Sequence, residues 1–146
     1  MLEILIKPWT EAEVGAFLVR QEVFIGEQGV PAELELDEFD PLAAHALALQ
    51  DGRCIGTGRL VDLGKGQAQI GRMAVLAQYR HQGLGKQILK KLIDLAQSQK
   101  TDSIVLHSQV TAIPFYEKHG FQVQGSTYDE AGIPHRNMIL LLPSLI

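Results

Sequence analysis

The stretch Arg80-His81-Gln82-Gly83-Leu84-Gly85-Lys86 decides the fold, because it joins a strand-like run, residues 69–75, to an amphipathic helix. Without a Cβ, Gly83 and Gly85 can bring their backbone N–H groups close to a ligand. The helix that begins there adds unpaired N–H donors and the positive end of its dipole. Arg80 and Lys86 add positive charge, so the stretch predicts an anion-binding loop. The alternative is a tight strand-to-helix turn without a ligand.

The helix is indicated by Leu84, Ile88, Leu92 and Leu95, which recur at spacings of four, four and three residues. Two better-known phosphate loops are excluded. A Walker A loop would need Ser or Thr after Gly85-Lys86, where this chain has Gln87, and a Gly five residues before Gly85. The dinucleotide-binding fingerprint would need a third glycine at position 88.

Composition indicates an ordinary globular protein and one domain, residues 1–146, with 46% apolar and 21% charged residues. We expect a cytoplasmic protein without a membrane partner, because no run approaches the about 18 apolar residues of a membrane span and no leader peptide is recognisable. The single Cys54 offers no internal disulfide and no metal cluster. A net charge of −4 argues against a nucleic-acid partner.

Along the chain, a strand at residues 2–7 precedes a helix at residues 11–25, capped by Thr10 with Glu13 completing a capping box. An acidic stretch, residues 33–40, follows within a loop or short irregular helix. Residues 43–50, 54–61 and 69–76 read as an antiparallel meander. After the glycine-loop helix we expect a strand at residues 103–106, a short helix at 112–118 and closing strands at 121–127 and 138–142. This order predicts an α/β (α+β) fold with one mixed sheet.

A second motif, Phe115-Tyr116-Glu117-Lys118-His119-Gly120-Phe121, lies 30 residues beyond Gly85. Together with the glycine loop and the element order, it resembles the GCN5-related N-acetyltransferase (GNAT) family over nearly the whole chain. Scattered residues make the ElaA-like subgroup the nearest match: Arg20, Val23-Phe24, Glu27-Gln28, Asp37, Asp40, His45, Pro134-His135 and Met138. The resemblance implies a mostly antiparallel sheet of six to seven strands, about four helices, and a splay between the fourth and fifth strands.

The resemblance also implies acetyl-CoA as cosubstrate and no metal. In this family the glycine loop wraps the pyrophosphate, and the strand before it hydrogen-bonds the pantetheine arm. The implied cofactor-binding residues are Met73, Ala74, Val75, Arg80, His81, Gln82, Gly83, Leu84, Gly85, Lys86, Phe115 and Lys118.

Transfer of an acetyl group to an amine needs a neutral amine, a stabilised oxyanion and a proton for the departing thiolate. The family places a tyrosine that matches Tyr116 as the proton donor. The alternative for Tyr116 is a core aromatic with a hydrogen-bonded hydroxyl. A backbone N–H near Ala74 or Val75 would stabilise the oxyanion. Glu27 and His45 are candidate bases, although Glu27 could be a solvated carboxylate and His45 a core residue.

Arg20, Gln28 and His135 are candidate acceptor-binding residues, and Arg20 could instead pair with Glu27, Asp37 or Asp40. The predicted function is transfer of an acetyl group to a primary amine of a small molecule or peptide. The alternative is a non-catalytic acyl-CoA-binding or sensing module, while a nucleotide-binding or kinase-like protein would need metal-holding residues. A cationic acceptor would suit the acidic stretch if that stretch faces the pocket. Exposed edge strands near the C-terminus make a homodimer plausible.

Overall fold

The computed structural model describes residues 1–143, in which strands and helices follow one another largely as the sequence predicts. Residues 144–146 of the predicted domain lie outside the described residues. The strands are β1 (Leu2–Pro8), β2 (Ala44–Gln50), β3 (Arg53–Gly64), β4 (Gln67–Val75), β5 (Ser103–Gln109), β6 (Gln122–Glu130) and β7 (Ile133–Leu141). The helices are α1 (Trp9–Arg20), continued by a π-helix (Gln21–Glu27), α2 (Ala32–Glu35), α3 (Leu84–Ser98) and α4 (Ile113–Glu117).

All seven strands belong to one sheet with the order β1-β2-β3-β4-β5-β7-β6. Every neighbouring pair is antiparallel except β4 and β5, which run parallel. The predicted mixed sheet is therefore confirmed, with β2, β3 and β4 as its antiparallel meander. Among the described helices, none has the length and apolar character needed to cross a membrane.

Helices α1 and α3 pack on opposite faces of the sheet. On one face, Gly15 of α1 lies against Cys54 and Leu47, while the buried stripe of α3 covers the other face. Gly58 of β3 allows α3 to approach closely, because a Cβ at this position would lie only 3.0 Å from atoms of both Ile88 and Leu92. A glycine in a strand interior thus marks a close approach between sheet and helix.

Several helix and strand ends differ from the predicted ones by up to five residues, and two of these differences have a clear physical reason. Helix α1 begins at Trp9 rather than Glu11, with Pro8 as its N-cap and no side-chain cap hydrogen bond. Trp9 packs on the apolar group that α1 buries, so the helix starts one residue before the predicted cap, Thr10. Strand β7 begins at Ile133, five residues before the predicted start, because the turn that precedes it is only Ala131-Gly132.

Candidate active site

A gap opens in the sheet between β4 and β5. The two strands pair only from Gln67 opposite Ser103 to Gln69 opposite Val105. Within residues 1–143, the rest of β4 then pairs with β3 alone and the rest of β5 with β7 alone. The splay predicted between the fourth and fifth strands is therefore confirmed. A cavity of about 620 Å³ lies at this splay and is lined by residues of both strands.

One wall of the cavity is a bulge in β4, where Arg72 and Met73 both lie opposite Gly58 of β3. The bulge puts Arg72 in the left-handed region, with a φ of 50°. Bulges bend a strand and re-aim its groups. Met73, Ala74 and Val75 line the cavity, so the expected pantetheine strand forms this wall.

The glycine loop follows β4 and leads directly into α3. Gly83 adopts a φ of 82° as the N-cap of α3 and His81 a φ of 64°, so the loop is built from left-handed turns. Within residues 1–143 no side chain caps the first turn of α3, so its N–H groups are available to an anion. Gly85 lies against the ring of Phe115, because a Cβ at this position would be 3.5 Å from its Cζ. The loop and α4 therefore adjoin, with the remaining predicted cofactor residues distributed over them: Gln82, Leu84, Lys86 and Lys118.

Arg80 and Glu27, which the sequence assigns to different tasks, form an ion pair. Both terminal nitrogens of Arg80 donate to the carboxylate of Glu27 at 2.7 Å, and Nε donates to the carbonyl of Val75 at 2.9 Å. The hydrogen bonds from Arg80 lower the pKa of Glu27. Arg80 lines the cavity at its junction with the glycine loop. In this arrangement the carboxylate of Glu27 is occupied by the arginine of the predicted pyrophosphate loop.

Tyr116 of α4 also borders the cavity. Its side chain lines the cavity, is 8% exposed and makes edge contacts with Phe115 and Phe121. Within residues 1–143 its hydroxyl makes no hydrogen bond to another residue and keeps some accessible surface, since Nε of Arg59 is the one fully buried side-chain N or O atom there that lacks a partner. Burial raises the pKa of Tyr116 to about 12. The phenol is therefore protonated at neutral pH.

The acidic stretch borders the cavity, and three of its five carboxylates, those of Glu35, Asp37 and Asp40, are paired with arginines. The guanidinium of Arg59 binds Asp37 at 2.7 and 2.8 Å, and Arg72 binds Asp37 at 3.1 Å. Buried Arg20 contacts Asp40 at 2.8 and 3.0 Å and also pairs with Glu35. Three positive charges thus balance three negative charges. The stretch fastens α2 and the following turn to the sheet, and its paired carboxylates offer little attraction for a cationic acceptor.

Arg20 and His45 lie outside the cavity lining, unlike the direct roles expected of them. Arg20 is 1% exposed and makes the expected pairing with Asp40. His45 is also 1% exposed, contacts the carbonyl oxygen of Asp40 through Nε2 at 2.9 Å and packs on Trp9. Burial lowers the pKa of His45. Of the two alternatives that the sequence leaves open for His45, this geometry corresponds to the core residue.

Gln28 and His135 do line the cavity, together with polar residues that sequence reasoning missed. Gln28 accepts a hydrogen bond from Gln109 of β5 at 2.8 Å. His107 of β5 and Glu130 of β6 line the same wall, and Nδ1 of His107 lies 3.0 Å from Oε1 of Glu130. Alternation along β5 and β7 indicates which residues share a face of each strand. It does not indicate that β5 and β6 both pair with β7, which is the arrangement that brings His107 close to Glu130.

Comparison with known proteins identifies relatives over nearly the whole chain. A family model described as an acetyltransferase (GNAT) domain matches residues 9–142. A Bacillus subtilis protein named uncharacterized N-acetyltransferase YjcF is 38% identical over 125 residues, which are 85% of this chain and 89% of the relative. An acyl-CoA N-acyltransferase from Pseudomonas aeruginosa superposes with a TM-score of 0.86 at 29% identity, covering 96% of this chain and 99% of the other. Escherichia coli ElaA shares the fold, with a TM-score of 0.86 at 22% identity and the same coverage.

Proposed function

The chain belongs to the GNAT acetyltransferase family, and from this we propose that it transfers the acetyl group of acetyl-CoA to a primary amine of a small molecule or peptide, with Tyr116 as general acid. The observation that carries the proposal is the cavity at the splay, because the bulged backbone of β4 and the side chain of Tyr116 both line it. Arg80, the first residue of the glycine loop, also lines this cavity.

The cosubstrate fits this arrangement in three parts. The pantetheine arm carries two amides, and the unpaired side of β4 at Met73, Ala74 and Val75 offers backbone groups to them as a further strand would. The pyrophosphate suits the free N–H groups at the start of α3 and the positive end of its dipole. This placement leaves the thioester at the bulge.

The reaction then needs no metal, because each charge that develops has a candidate partner. The amine nitrogen attacks the thioester carbonyl, and a backbone N–H of Ala74 or Val75 stabilises the resulting oxyanion. The C–S bond breaks as the tetrahedral intermediate collapses, and Tyr116 donates its proton to the departing thiolate.

The raised pKa of Tyr116 makes this proton transfer harder than the sequence suggests. A phenol with a pKa of about 12 donating to a thiolate whose conjugate acid has a pKa of ~8.5 faces a difference of about 3.5 pKa units, or about 5 kcal/mol. The sulfur leaves inside the same cavity, where desolvation raises its own pKa as well. The two pKa shifts partly cancel, because the phenol and the departing thiolate share the same desolvated environment.

The test replaces the hydroxyl while keeping the ring. In Tyr116→Phe we expect kcat for amine acetylation to fall at least 100-fold, the lower bound of typical general-acid effects. Isothermal titration should show a dissociation constant for acetyl-CoA within about twofold of the wild type, since a ring without its hydroxyl keeps the packing on Phe115 and Phe121. Tyr79→Phe is the matched control, because Tyr79 lies in the turn before the glycine loop and outside the cavity lining.

Four outcomes separate the alternatives. Binding of acetyl-CoA and CoA but not ATP, with acetylation of at least one amine, supports the enzyme. Binding of both CoA species without acetylation of any amine favours the acyl-CoA-sensing module. Unchanged turnover in Tyr116→Phe removes the general-acid role, and absence of CoA binding removes the proposal as a whole.

A further inference from the structure

Three titratable side chains form a cluster where β5, β6 and β7 border the cavity: His107, Glu130 and His135, called here the histidine–glutamate cluster. Nδ1 of His107 lies 3.0 Å from Oε1 of Glu130, and Nε2 of His135 lies 3.6 Å from Oε2 of the same carboxylate. All three residues line the cavity. His107 and His135 lie 23 and 5 residues from Glu130 in the sequence, and the β5–β7 and β6–β7 pairings bring the three residues together.

Among the carboxylates that line the cavity in residues 1–143, Glu130 differs in having no arginine partner. Glu35 and Asp37 are bound by Arg20, Arg59 and Arg72, as described above. A cationic amine entering the cavity therefore meets one carboxylate whose neighbours are histidines. The described residues contain no group of three or more His, Cys, Asp or Glu arranged to hold a metal ion.

The two histidines differ in what their second nitrogen does. Nδ1 of His135 lies 2.7 Å from the carbonyl oxygen of Ile133, and the side chain of His135 is 8% exposed. Both of its ring nitrogens are thus directed at protein groups. His107 is 42% exposed, and within residues 1–143 its Nε2 has no hydrogen-bond partner. A carboxylate on Nδ1 and a free Nε2 form the arrangement in which an imidazole is oriented to accept a proton.

We propose that the histidine–glutamate cluster is the acceptor site, where Glu130 orients His107 and Nε2 of His107 removes a proton from the ammonium group of an aliphatic primary amine. The inference rests on the proposed acetyl transfer and deepens it, because it names the base and the class of acceptor. It gives the base role to a residue other than Glu27 and His45. His107 touches the substrate in this scheme, whereas Glu130 is a positioning residue.

The protons balance over one turnover. An N–H bond of the ammonium breaks and its proton moves to Nε2 of His107, which later releases it to solvent. The amine nitrogen forms a bond to the acetyl carbon, and the C–S bond breaks with its electron pair remaining on sulfur. Tyr116 protonates the thiolate and regains a proton from the amide nitrogen as the intermediate collapses. The products are the acetamide, CoA and one released proton.

The surroundings of His107 suit this role near neutral pH. The hydrogen bond to Glu130 raises the pKa of His107, while burial and the charge of Arg72 oppose the rise. The titratable groups facing it are Glu130 and Tyr128 of β6, Arg72 of β4 and, through Glu130, His135 of β7. Because the folded-state pKa lies above its ordinary value, the basic form of His107 appears as pH rises through that higher pKa. Activity that needs this base should rise over the same interval.

The test compares two probe amines. Butylamine has an ammonium pKa near that of lysine, ~10.4, and needs a base at pH 7. Methoxyamine is already neutral at that pH and does not. In His107→Gln we expect kcat/KM for butylamine to fall at least 100-fold, with a much smaller loss for methoxyamine and an unchanged dissociation constant for acetyl-CoA. A loss of packing alone would lower both rates together.

The positioning role of Glu130 has a separate readout. In Glu130→Gln the rising limb of the pH profile of kcat/KM should move to lower pH, and the imidazole of His107, followed by NMR with ¹⁵N-labelled histidine, should titrate at lower pH than in the wild type. Asp129→Asn is the matched control, since Asp129 precedes Glu130 on β6, is exposed and lies outside the cavity lining. It should leave both titrations unchanged.

An active wild type whose His107→Gln variant loses the two amines equally, or whose Glu130→Gln variant titrates like the wild type, would overturn this inference and leave the proposed function standing. A wild type that acetylates no amine would overturn the proposed function, and the inference with it.

Discussion

Removal of the Glu27 carboxylate should tighten the binding of acetyl-CoA. In the structure Arg80 gives both terminal nitrogens to Glu27. If Arg80 contacts the pyrophosphate, as we propose, the cosubstrate must draw it away from this carboxylate first. In Glu27→Gln that competition is much weaker, while Nε of Arg80 keeps its hydrogen bond to Val75 and so remains beside β4.

The size of the effect follows from the exposure of the pair. The side chains of Arg80 and Glu27 are 32% and 42% exposed, so solvent screens their attraction. Pairs of this kind contribute about 0.2 to 1 kcal/mol. At 1.4 kcal/mol for each factor of ten, the dissociation constant of acetyl-CoA should fall by a factor of about 1.4 to 5. The gain should shrink in 1 M salt, where the Debye length is about 3 Å.

Isothermal titration of acetyl-CoA at low and high salt measures this change. Glu22→Gln is the matched control, because Glu22 is an exposed glutamate of the same π-helix and its replacement changes the net charge equally. Binding by Glu27→Gln that is no tighter than binding by Glu22→Gln would refute the competition between Glu27 and the cosubstrate. Unchanged affinity with a large loss of turnover would support instead the base role predicted for Glu27 from the sequence.

Two further predictions concern stability. Gly58→Ala should lower the free energy of unfolding in urea by about 1 to 3 kcal/mol, because the new methyl group would lie 2.5 Å from Sδ of Met73 and 3.0 Å from Ile88. Gly71→Ala is the control, because a Cβ at this position would have nothing within 4 Å. Equal losses of stability in the two variants would contradict the argument. Asp40 has a pKa lowered from 3.8 to about 2, chiefly by its hydrogen bond from Arg20 against the opposing effect of burial. The ionised carboxylate of Asp40 contributes about 2 kcal/mol to stability above pH 4, and this contribution is lost as pH falls toward 2. The unfolding free energy of Asp40→Asn should therefore depend less on pH over this interval than that of the wild type. An equal pH dependence in the two proteins would refute the assignment.

The sequence predicted the parts of the fold that have local causes. The leucine and isoleucine stripe of α3 is a helical repeat, and Leu84, Ile88 and Leu92 are buried as it indicated. The glycine loop was predicted to join a strand to a helix, and Gly83 lies there as the N-cap of α3. The resemblance supplied the splay, which no local pattern encodes. The predicted start of α1 was wrong because a tertiary contact sets it, namely the packing of Trp9 on the apolar group that α1 buries.

The candidate site divides in the same way. Tyr116, Met73, Ala74, Val75 and Arg80 are continuous with recognisable motifs, and all of them line the cavity. His45 and Arg20 were ambiguous, because alternation along a strand or helix shows which residues share a face but not what covers that face. The helix α1 and the acidic stretch cover it, and both residues are consequently buried.

The sequence by itself determined the family, the order of the elements and the position of the glycine loop before α3, because the motifs behind them are short and local. Only the tertiary structure decided the partners of the charged groups. Three carboxylates of the acidic stretch pair with Arg20, Arg59 and Arg72, Glu27 pairs with Arg80, and Glu130 contacts the histidines. These pairings span up to 53 residues, and they form because the sheet order brings distant strands side by side. Charge pairing over such separations depends on distance in space, which the linear sequence does not contain.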